Sequence, residues 1–350
     1  MKLCPARFEP MFSPRPWGSL SLSPLFPEKS KLTEPIGEAW LTGDESLFVN
    51  GPFAGKKLVE AWPGMSMEWR GTLQEHERAF PLLVKFLFAE DKPSVQVHPD
   101  DAYAAEHEAA AGGRGKTEMW YIHRVRPGAG VLAGMKVGVT PDEFKRAIAD
   151  GTAEQCLERI PLRPGDAVFI PAGTAHTIGA GLTICEIQET SDLTYRVYDY
   201  NRPDASGKMR PLHIEKALDV IQFGKQRGGK LDPVRIERGG IVKTYYIACR
   251  YFSTERWDFS ERLATSSSGE HFDIVVILEG NGSILWRSDS AEYGPAQAWL
   301  IPAALGSYQM APDSRTSLLR TYVPGDLGEF ACRLAGQGLS ESEWSRIVFR

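Results

Sequence analysis

The sequence predicts a mainly β protein that folds as two double-sheet jelly rolls with a few helices. Short apolar runs such as Phe80–Ala89 and Ser94–His98 are bounded by Pro and Gly, as strands and turns are. Stretches with helical periodicity are few, and many short strands with few helices favour jelly rolls. A faint repeat, Val168–His176 against Trp299–Tyr308, indicates a duplicated roll with tyrosine near the place of histidine.

Most predicted strands are short segments in which apolar side chains dominate. The remaining candidates are Ile36–Trp40, Lys116–Ile122, Ala167–Ile170, Val275–Gly280, Gly282–Trp286 and Ala298–Ala303. Within Phe80–Ala89 the single charged residue is Lys85. Because an unpaired buried lysine is costly, we expect this cation to have a partner or a functional role.

Three helices are expected between the strands. The first spans Pro99–Ala111 and has acidic residues near its start, where they suit the helix dipole. The second begins at Thr140–Glu143, a capping box with Pro at the first helical position, and ends near Gly151. The third spans Leu212–Phe223.

Composition excludes several classes of protein. The chain of 350 residues carries a formal net charge of -5 and has no Lys/Arg-rich run, which argues against a nucleic-acid-binding protein. No apolar stretch approaches membrane-spanning length, so we expect no membrane partner. The five cysteines are widely scattered and form no CxxC pair. We therefore expect reduced thiols and a cytoplasmic location.

Four residues could form a metal site. Gln96 and His98 share one face of a predicted strand because side chains at i and i+2 point the same way. Glu118 lies on the next predicted strand, and His176 follows a tight turn. Two imidazoles, a carboxylate and an amide oxygen suit a borderline divalent metal with room for water or substrate. The alternative is that both histidines are ordinary buried core residues.

The segment Ala110–Thr117 approaches a phosphate-binding loop, AAGGRGKT. It lacks the first glycine of that motif, and a strand-like segment follows it in place of a helix. Because the phosphate cradle needs a helix N-terminus, we do not interpret the segment as a nucleotide site.

The stretch Pro164–Arg202 is denser in polar groups than a structural strand requires. Glu186, Asp192 and Arg196 lie among apolar residues on predicted strands, which indicates a lined pocket. If the strand is regular, Asp192 and Arg196 share one face. The alternative for Arg196 is a salt bridge to Asp192 or Asp199.

Several motifs occur in a fixed order along the chain. They are Lys85, Gln96-Val97-His98-Pro99, Gly115–Trp120, Ile170–His176, Glu186 and Ser191-Asp192 followed by Arg196. This order resembles the type I phosphomannose isomerases, and in particular the short bacterial form of that cupin family. The resemblance covers most of the chain from about residue 15 and is weakest after residue 240.

The resemblance implies two cupin-type jelly rolls, of which the second lacks the metal site. It implies one zinc ion per chain, held by Gln96, His98, Glu118 and His176. It also implies Arg196, Lys116 and Glu186 as catalytic residues, and Lys85, Asp192 and Arg196 as contacts of the substrate.

The chain is expected to divide at the ends of the first roll. Residues 1–136 and 160–203 are assigned to a metal-binding catalytic roll, with a helical insertion at 137–159. Residues 204–240 are assigned to a helix and connector, and 241–350 to a degenerate second roll.

The implied activity is a zinc-dependent aldose–ketose isomerisation of mannose 6-phosphate and fructose 6-phosphate through an enediol or enediolate. The partner is then a small sugar phosphate. One alternative is another metal-dependent cupin enzyme, such as an epimerase or a dioxygenase. The other is a cupin that binds sugar phosphate without turning it over. The sequence leaves the oligomeric state, the aldose and the general base open.

Overall fold

The computed structural model of the protein describes residues 2–203, 207–224 and 228–350. The strands before residue 200 are β1 (Ala6–Arg7), β2 (Met11–Ser19), β3 (Ile36–Trp40), β4 (Leu82–Ala89), β5 (Val95–Val97), β6 (Glu118–Val125), β7 (Gly130–Met135), β8 (Leu157–Pro161), β9 (Ala167–Ile170), β10 (His176–Ile178), β11 (Leu182–Glu189) and β12 (Tyr195–Tyr198). The later strands are β13 (Gly229–Lys230), β14 (Val234–Arg238), β15 (Ile241–Ala248), β16 (Ser253–Phe259), β17 (Leu263–Ser266), β18 (Asp273–Glu279), β19 (Gly282–Trp286), β20 (Asp289–Tyr293), β21 (Ala298–Ile301), β22 (Ser307–Pro312) and β23 (Thr316–Tyr322).

Four antiparallel sheets combine into two rolls, which confirms the predicted fold class. The first roll joins a seven-stranded sheet, β13-β9-β6-β11-β4-β3-β2, to a five-stranded sheet, β12-β5-β10-β7-β8. The second joins β1-β21-β18-β23-β16-β15-β14 to β17-β22-β19-β20. Apart from β12, every strand of one roll has a counterpart at the same place in the other.

Each roll receives one edge strand from a distant part of the chain. β1 pairs with β21 of the second roll, with Ala6 opposite Leu300. β13 pairs with β9 of the first roll, with Gly229 opposite Phe169. Both large sheets are therefore completed by a two-residue strand that lies outside the stretch forming the rest of the sheet.

The two seven-stranded sheets pack against each other through one face of each. Strand alternation places Glu118 and Trp120 of β6 on one face and Tyr121 on the other. Tyr121 belongs to a buried apolar cluster that also contains Tyr246 of β15. The two rings lie 5.8 Å apart, and Arg256 of β16 donates a 3.2 Å hydrogen bond to the Tyr121 hydroxyl. The opposite face of β6 is thereby left to line the interior of the first roll.

The helices are short and lie between or after the strands. They are α1 (Leu58–Ala61), α2 (Met67–Arg70), α3 (Asp101–His107), α4 (Pro141–Ala149), α5 (Ile214–Val220), α6 (Leu327–Gly336) and α7 (Glu341–Trp344). The three expected helices are confirmed as α3, α4 and α5. The capping box is present: Thr140 Oγ1 accepts from Glu143 N at 3.3 Å, and Glu143 Oε2 accepts from Thr140 N at 2.9 Å.

The sequence did not indicate α1, α2, α6 or α7. In the part of the chain that the structure describes, no helix is long and apolar enough to cross a membrane.

The internal repeat corresponds to equivalent strand–turn–strand units. Ile170 ends β9 before the turn to β10, and Ile301 ends β21 before the turn to β22. Both units leave a seven-stranded sheet and enter the smaller sheet of the same roll. The segment resembling a phosphate-binding loop leads into β6, a strand, so the expected absence of a following helix is confirmed.

Candidate metal centre and active site

His98, Glu118 and His176 come together inside the first roll. His98 follows β5, Glu118 begins β6 and His176 begins β10. Each is at most 1% exposed, and their potential ligand atoms all lie within 4.8 Å of one another. Glu118 Oε2 is 3.7 Å from His98 Nε2, and Glu118 Oε1 is 3.4 Å from His176 Nε2. Atoms bound to zinc at about 2.0–2.2 Å in tetrahedral geometry are about 3.3–3.6 Å apart, so the 3.4 Å distance lies within this range and the 3.7 Å distance just outside it.

Backbone carbonyls orient both imidazoles toward Glu118. His98 Nδ1 donates to Leu193 O, and His176 Nδ1 donates to Thr174 O, each at 2.8 Å. These bonds hold the proton on Nδ1 and leave Nε2 free to ligate, the usual arrangement of metal-binding histidines.

The protonation states also suit a cation. Burial is the largest factor lowering the pKa of His176 to about 4, and burial followed by nearby Lys116 lowers that of His98. Both rings are therefore neutral near pH 7. Within the described residues, His98 Nε2 and Glu118 Oε1 are buried without a hydrogen-bond partner. Such buried groups are costly unless a ligand satisfies them, so the residues present fit a bound divalent metal.

Gln96 lies at the same centre, on the adjacent strand. It is directly opposite His176 in the pairing of β5 with β10. Its Nε2 is 3.2 Å from His176 Nε2 and donates to it, because the proton of that ring is on Nδ1. A half-turn of the amide would present the oxygen instead, which is the ligating atom of glutamine.

A chain of alternating charges extends from Glu118 across the large sheet. Lys116 Nζ is 2.7 Å from Glu118 Oε2 and 3.4 Å from Glu186 Oε1. Lys85 Nζ is 3.2 Å from the same Glu186 oxygen and 4.0 Å from Glu38 Oε1. All five side chains are buried. Lys85 is therefore a paired buried cation, one of the two alternatives that the sequence suggested.

The pKa values of Glu118 and Glu186, two acids in this series of charges, shift in opposite directions. Burial and the Glu186 carboxylate raise the pKa of Glu118, although Lys116 opposes the shift. Burial would raise the pKa of Glu186 as well, but Lys116 and Lys85 outweigh it and lower that pKa. Glu186 Oε2 also accepts from Trp120 Nε1 at 3.1 Å. Glu186 is thus a fixed anion that orients two lysines, whereas Glu118 has unmet capacity for a cation.

Arg196 lies beside the centre on the small sheet. It is opposite Gln96 in the pairing of β12 with β5, so the two side chains project to the same face. Its Nη1 donates to Pro211 O at 3.1 Å. Among the described residues it makes no ion pair within 4.0 Å, and Asp199 pairs with Arg202 and Arg210 instead. The salt-bridge alternative for Arg196 is therefore wrong.

Asp192 stands apart from the buried group. It is exposed and precedes β12, which begins only at Tyr195. The expectation that strand alternation places Asp192 with Arg196 is therefore wrong, because Asp192 lies in the loop. It still acts on the site from a distance: burial lowers the pKa of Lys116, but Glu118 and Glu186 outweigh burial and raise it, and the charge of Asp192 adds to the rise.

The sequence analysis did not identify two residues of the site, Glu38 and Arg15. Glu38 of β3 accepts from Trp40 Nε1 at 2.9 Å and from Arg15 Nη2 at 2.8 Å, which extends the charge chain to the edge of the sheet. The available signal was an acid inside the apolar segment Ile36–Trp40. Arg15 gave no local signal, because its role depends on the pairing of β2 with β3.

Comparison with known proteins identifies the family of the chain. A family model, "Phosphomannose isomerase type I, catalytic domain", matches residues 11–119. The chain is 35% identical over 316 residues to a probable mannose-6-phosphate isomerase of Bacillus subtilis, covering 87% of this chain and 95% of the relative. The chain belongs to the type I phosphomannose isomerase family. This membership confirms the resemblance carried by the ordered motifs.

Solved structures of phosphomannose isomerases share the fold. The mannose 6-phosphate isomerase from Bacillus subtilis superposes with a TM-score of 0.82 at 31% identity, covering 91% of this chain and 99% of that one. A zinc-bound mannose 6-phosphate isomerase superposes with a TM-score of 0.71 at 16% identity, over 91% of this chain and 99% of that chain. At this lower identity the likeness shows the fold alone.

Proposed function

We propose that this phosphomannose isomerase family member interconverts mannose 6-phosphate and fructose 6-phosphate with one bound zinc ion. The observation that carries the proposal is the buried His98–Glu118–His176 cluster beside Lys116. Gln96 and these three residues would hold the ion. When bound, zinc polarises a carbonyl oxygen and orients sugar hydroxyls.

The side chains around the cluster supply positive charge where the reaction needs it. Transfer of a proton between C2 and C1 passes through an enediolate, whose oxygens carry more negative charge than the sugar does. Lys116 and Arg196 are fixed cations next to the proposed ligands, so they stabilise this species more than the ground state. Glu186 keeps Lys116 and Lys85 in place, and Lys85 adds positive charge on the side toward Glu38.

A turnover assay across phosphorylated and free aldoses tests the proposal. We expect zinc-loaded protein to convert mannose 6-phosphate to fructose 6-phosphate, chelation to abolish turnover, and added zinc to restore it. Preferred turnover of another aldose, or oxygen consumption with bound iron, would identify a different cupin enzyme. Binding of sugar phosphate without any turnover would identify a non-catalytic cupin.

We further infer that the zinc ion belongs to the first roll alone and that the second roll, assigned from sequence to residues 241–350 and formed by β14–β23 together with β1, is metal-free. Metal analysis should give one ion per chain, and a ratio of two would contradict the inference. We also infer a cytoplasmic location, because all five cysteines are free thiols, which suits a reducing compartment. Thiol titration of protein isolated without reductant should find them unoxidised.

A further inference from the structure

Arginine residues line a cavity at the edge of the first roll. β2 and β12 are edge strands of its two sheets, and a cavity of about 300 Å³ lies between them. Arg15 of β2 lines one side, and Arg202 and Arg210, beyond the end of β12, line the other. Glu34 and Asp199 also line it, so three cations face two anions.

Buried charges connect this cavity to the metal centre through the large sheet. Arg15 Nη2 donates to Glu38 Oε2 at 2.8 Å, and Glu38 Oε1 is 4.0 Å from Lys85 Nζ. Lys85 in turn pairs with Glu186, which contacts Lys116 beside the candidate ligands. A continuous series of charge contacts therefore links the arginine cavity to the metal centre.

Arg196 connects the arginine cavity to the metal centre through the small sheet. It is opposite Gln96, and its Nη1 bonds to the carbonyl of Pro211, the residue after Arg210. Its Nε is buried and has no hydrogen-bond partner among the described residues. Burial lowers the pKa of Arg196, and the nearby charges of Arg210 and Arg15 lower it further. The guanidinium groups are thus close enough to repel one another.

Asp199 offsets only part of this repulsion. It accepts from Arg210 Nε at 2.6 Å and from Arg210 Nη2 at 2.5 Å, and it accepts from Arg202 Nη2 at 3.0 Å. Arg202 also pairs with Asp91 at 3.2 Å, and Arg15 pairs with Glu38, so each of the three arginines has a carboxylate partner. These pairs use only part of each guanidinium fork, and a phosphate dianion suits the remaining N–H groups because guanidinium groups bind phosphate oxygens in bidentate pairs.

A second cavity beside the metal centre has the opposite charge balance. Its volume is about 410 Å³, and its lining includes Trp40 and Leu193. Its charged lining is Arg114 against Asp44 and Asp192, so anions outnumber cations. A dianionic group is attracted to the arginine cavity and repelled from this one.

We propose that Arg15 and Arg210 bind the phosphate group of the sugar substrate, with Arg202 as a third cation held in place by Asp199. This assignment rests on the proposed function, which puts the reacting carbons at the metal centre and the phosphate at the far end of the six-carbon chain. The arginine cavity then determines the preference for phosphorylated over free aldoses.

Substitution of each arginine by glutamine tests the assignment, with Arg114→Gln in the second cavity as the matched control. We expect Arg15→Gln and Arg210→Gln to raise KM for mannose 6-phosphate about 10- to 100-fold, the effect of losing a charge-assisted hydrogen bond. Because phosphate binding is equal in ground and transition states, kcat should change less than about threefold. Arg210→Lys keeps the charge without the planar fork, so its KM should be intermediate.

The ratio of kcat/KM for mannose 6-phosphate to that for free mannose separates a phosphate role from general damage. It should fall about 10- to 100-fold in both variants. An unchanged ratio, or an equal loss in Arg114→Gln, would overturn the assignment. Melting curves and zinc content confirm that each variant is folded.

Calorimetric titration with mannose 6-phosphate and with inorganic phosphate separates the two proposals. If wild-type protein binds both without isomerising the sugar, and Arg210→Gln loses that affinity, the phosphate site stands and the proposed function fails. If wild-type protein is active and Arg210→Gln binds and turns over sugar phosphate normally, the function stands and the phosphate site is wrong.

Discussion

The two rolls carry opposite charges at matching positions of their large sheets. Lys85 of β4 lies opposite Glu186 of β11, whereas Glu255 of β16 lies opposite Arg320 of β23. β4 and β16 hold equivalent places in the two sheets, as do β11 and β23. The sign of the charge at each of these positions is therefore reversed between the two rolls.

The inversion extends to the next strand of each sheet. Glu38 of β3 lies opposite Leu87, two residues after Lys85. Lys243 of β15 lies opposite Trp257, two residues after Glu255. Three matched pairs of buried or half-buried charges are thus reversed between the rolls.

One acid keeps its sign. Glu118 and Asp273 begin equivalent strands and lie opposite the isoleucines that end β9 and β21, Ile170 and Ile301. In the second roll, Arg320 Nε is 2.9 Å from Asp273 Oδ2, and Arg320 Nη1 is 2.5 Å from Glu255 Oε1.

The central residue explains the different outcomes. In the second roll a central arginine neutralises both neighbouring acids, and His271 Nδ1 lies 3.1 Å from the remaining oxygen of Asp273. In the first roll the central residue is the acid Glu186, which shares Lys116 with Oε2 of Glu118, so Oε1 of Glu118 faces the neutral imidazole of His176 without a cation. The first roll thus differs from the second in keeping an acid that the protein's own cations do not fully satisfy.

Glu118→Gln should produce the largest effect, because it removes both a ligand and the charge that attracts the ion. Even groups that only orient zinc ligands contribute 10- to 100-fold to affinity, so we expect more than about a 100-fold loss of zinc affinity. Turnover should fall with the zinc content. Both are measured on purified protein.

The matched control for Glu118→Gln is Asp273→Asn in the second roll. It should retain wild-type zinc content and turnover per folded molecule while lowering the melting temperature. Retention of zinc by Glu118→Gln would show that the contrast between the two acids has no bearing on metal binding.

Arg320→Met should destabilise the protein by about 3–5 kcal/mol, because it leaves two buried carboxylates without a counter-ion. Urea unfolding measures the change. A triple variant that also carries Glu255→Gln and Asp273→Asn should recover much of the loss. A change below about 1 kcal/mol would mean that the second roll does not depend on its central arginine.

Arg196→Ala tests the strand that the second roll lacks, since β12 has no counterpart there. Loss of one oxyanion-stabilising donor typically lowers kcat about 10²- to 10³-fold, and we expect that range here. Arg196→Lys should recover activity only in part.

Steady-state kinetics with mannose 6-phosphate and zinc analysis give the answer for Arg196. A zinc-replete Arg196→Ala variant with near-normal kcat and a raised KM would show that Arg196 binds the phosphate group and does not stabilise the transition state.

The smallest effect concerns acid stability without metal. His176 has a folded pKa of about 4, below the ordinary value of about 6.5, so its contribution to stability is complete above about pH 6.5. That contribution is lost as the pH falls from about 6.5 to about 4, at about 1.4 kcal/mol per pH unit for one proton. His98 shifts in the same direction and steepens the slope.

Chelator-treated protein, unfolded by urea at successive pH values, should show this dependence. His176→Gln should reduce the slope by about one proton. An identical slope in that variant would assign the acid sensitivity to other groups.

Residues that share a strand face were predictable from sequence. Gln96 and His98 are two positions apart, and the turn before His176 is marked by Pro171 and Gly173. Side-chain alternation and turn chemistry act over a few residues, so the candidate centre could be assembled before any coordinates were known.

Features that depend on distant pairing were not predictable. Arg15 acquires its role only when β2 pairs with β3, and Arg210 only when it meets Asp199. Asp192 was misplaced because strand periodicity was extended into a loop, where Ser191 bonds through Oγ to the carbonyl of Arg114 at 2.8 Å. The two-residue strands β1 and β13 are too short to show any periodicity.

The exchanged edge strands have a consequence for how the protein is made. Ala6 is synthesised 294 residues before its partner Leu300. At about 5–20 residues per second, the ribosome needs about 15–60 s to synthesise the chain between them. The first roll, including β13, can assemble during this interval, whereas β1 remains without its partner strand. The pairing of β1 is therefore timed by the synthesis of β21, and a nascent chain stalled before that point keeps β1 unpaired.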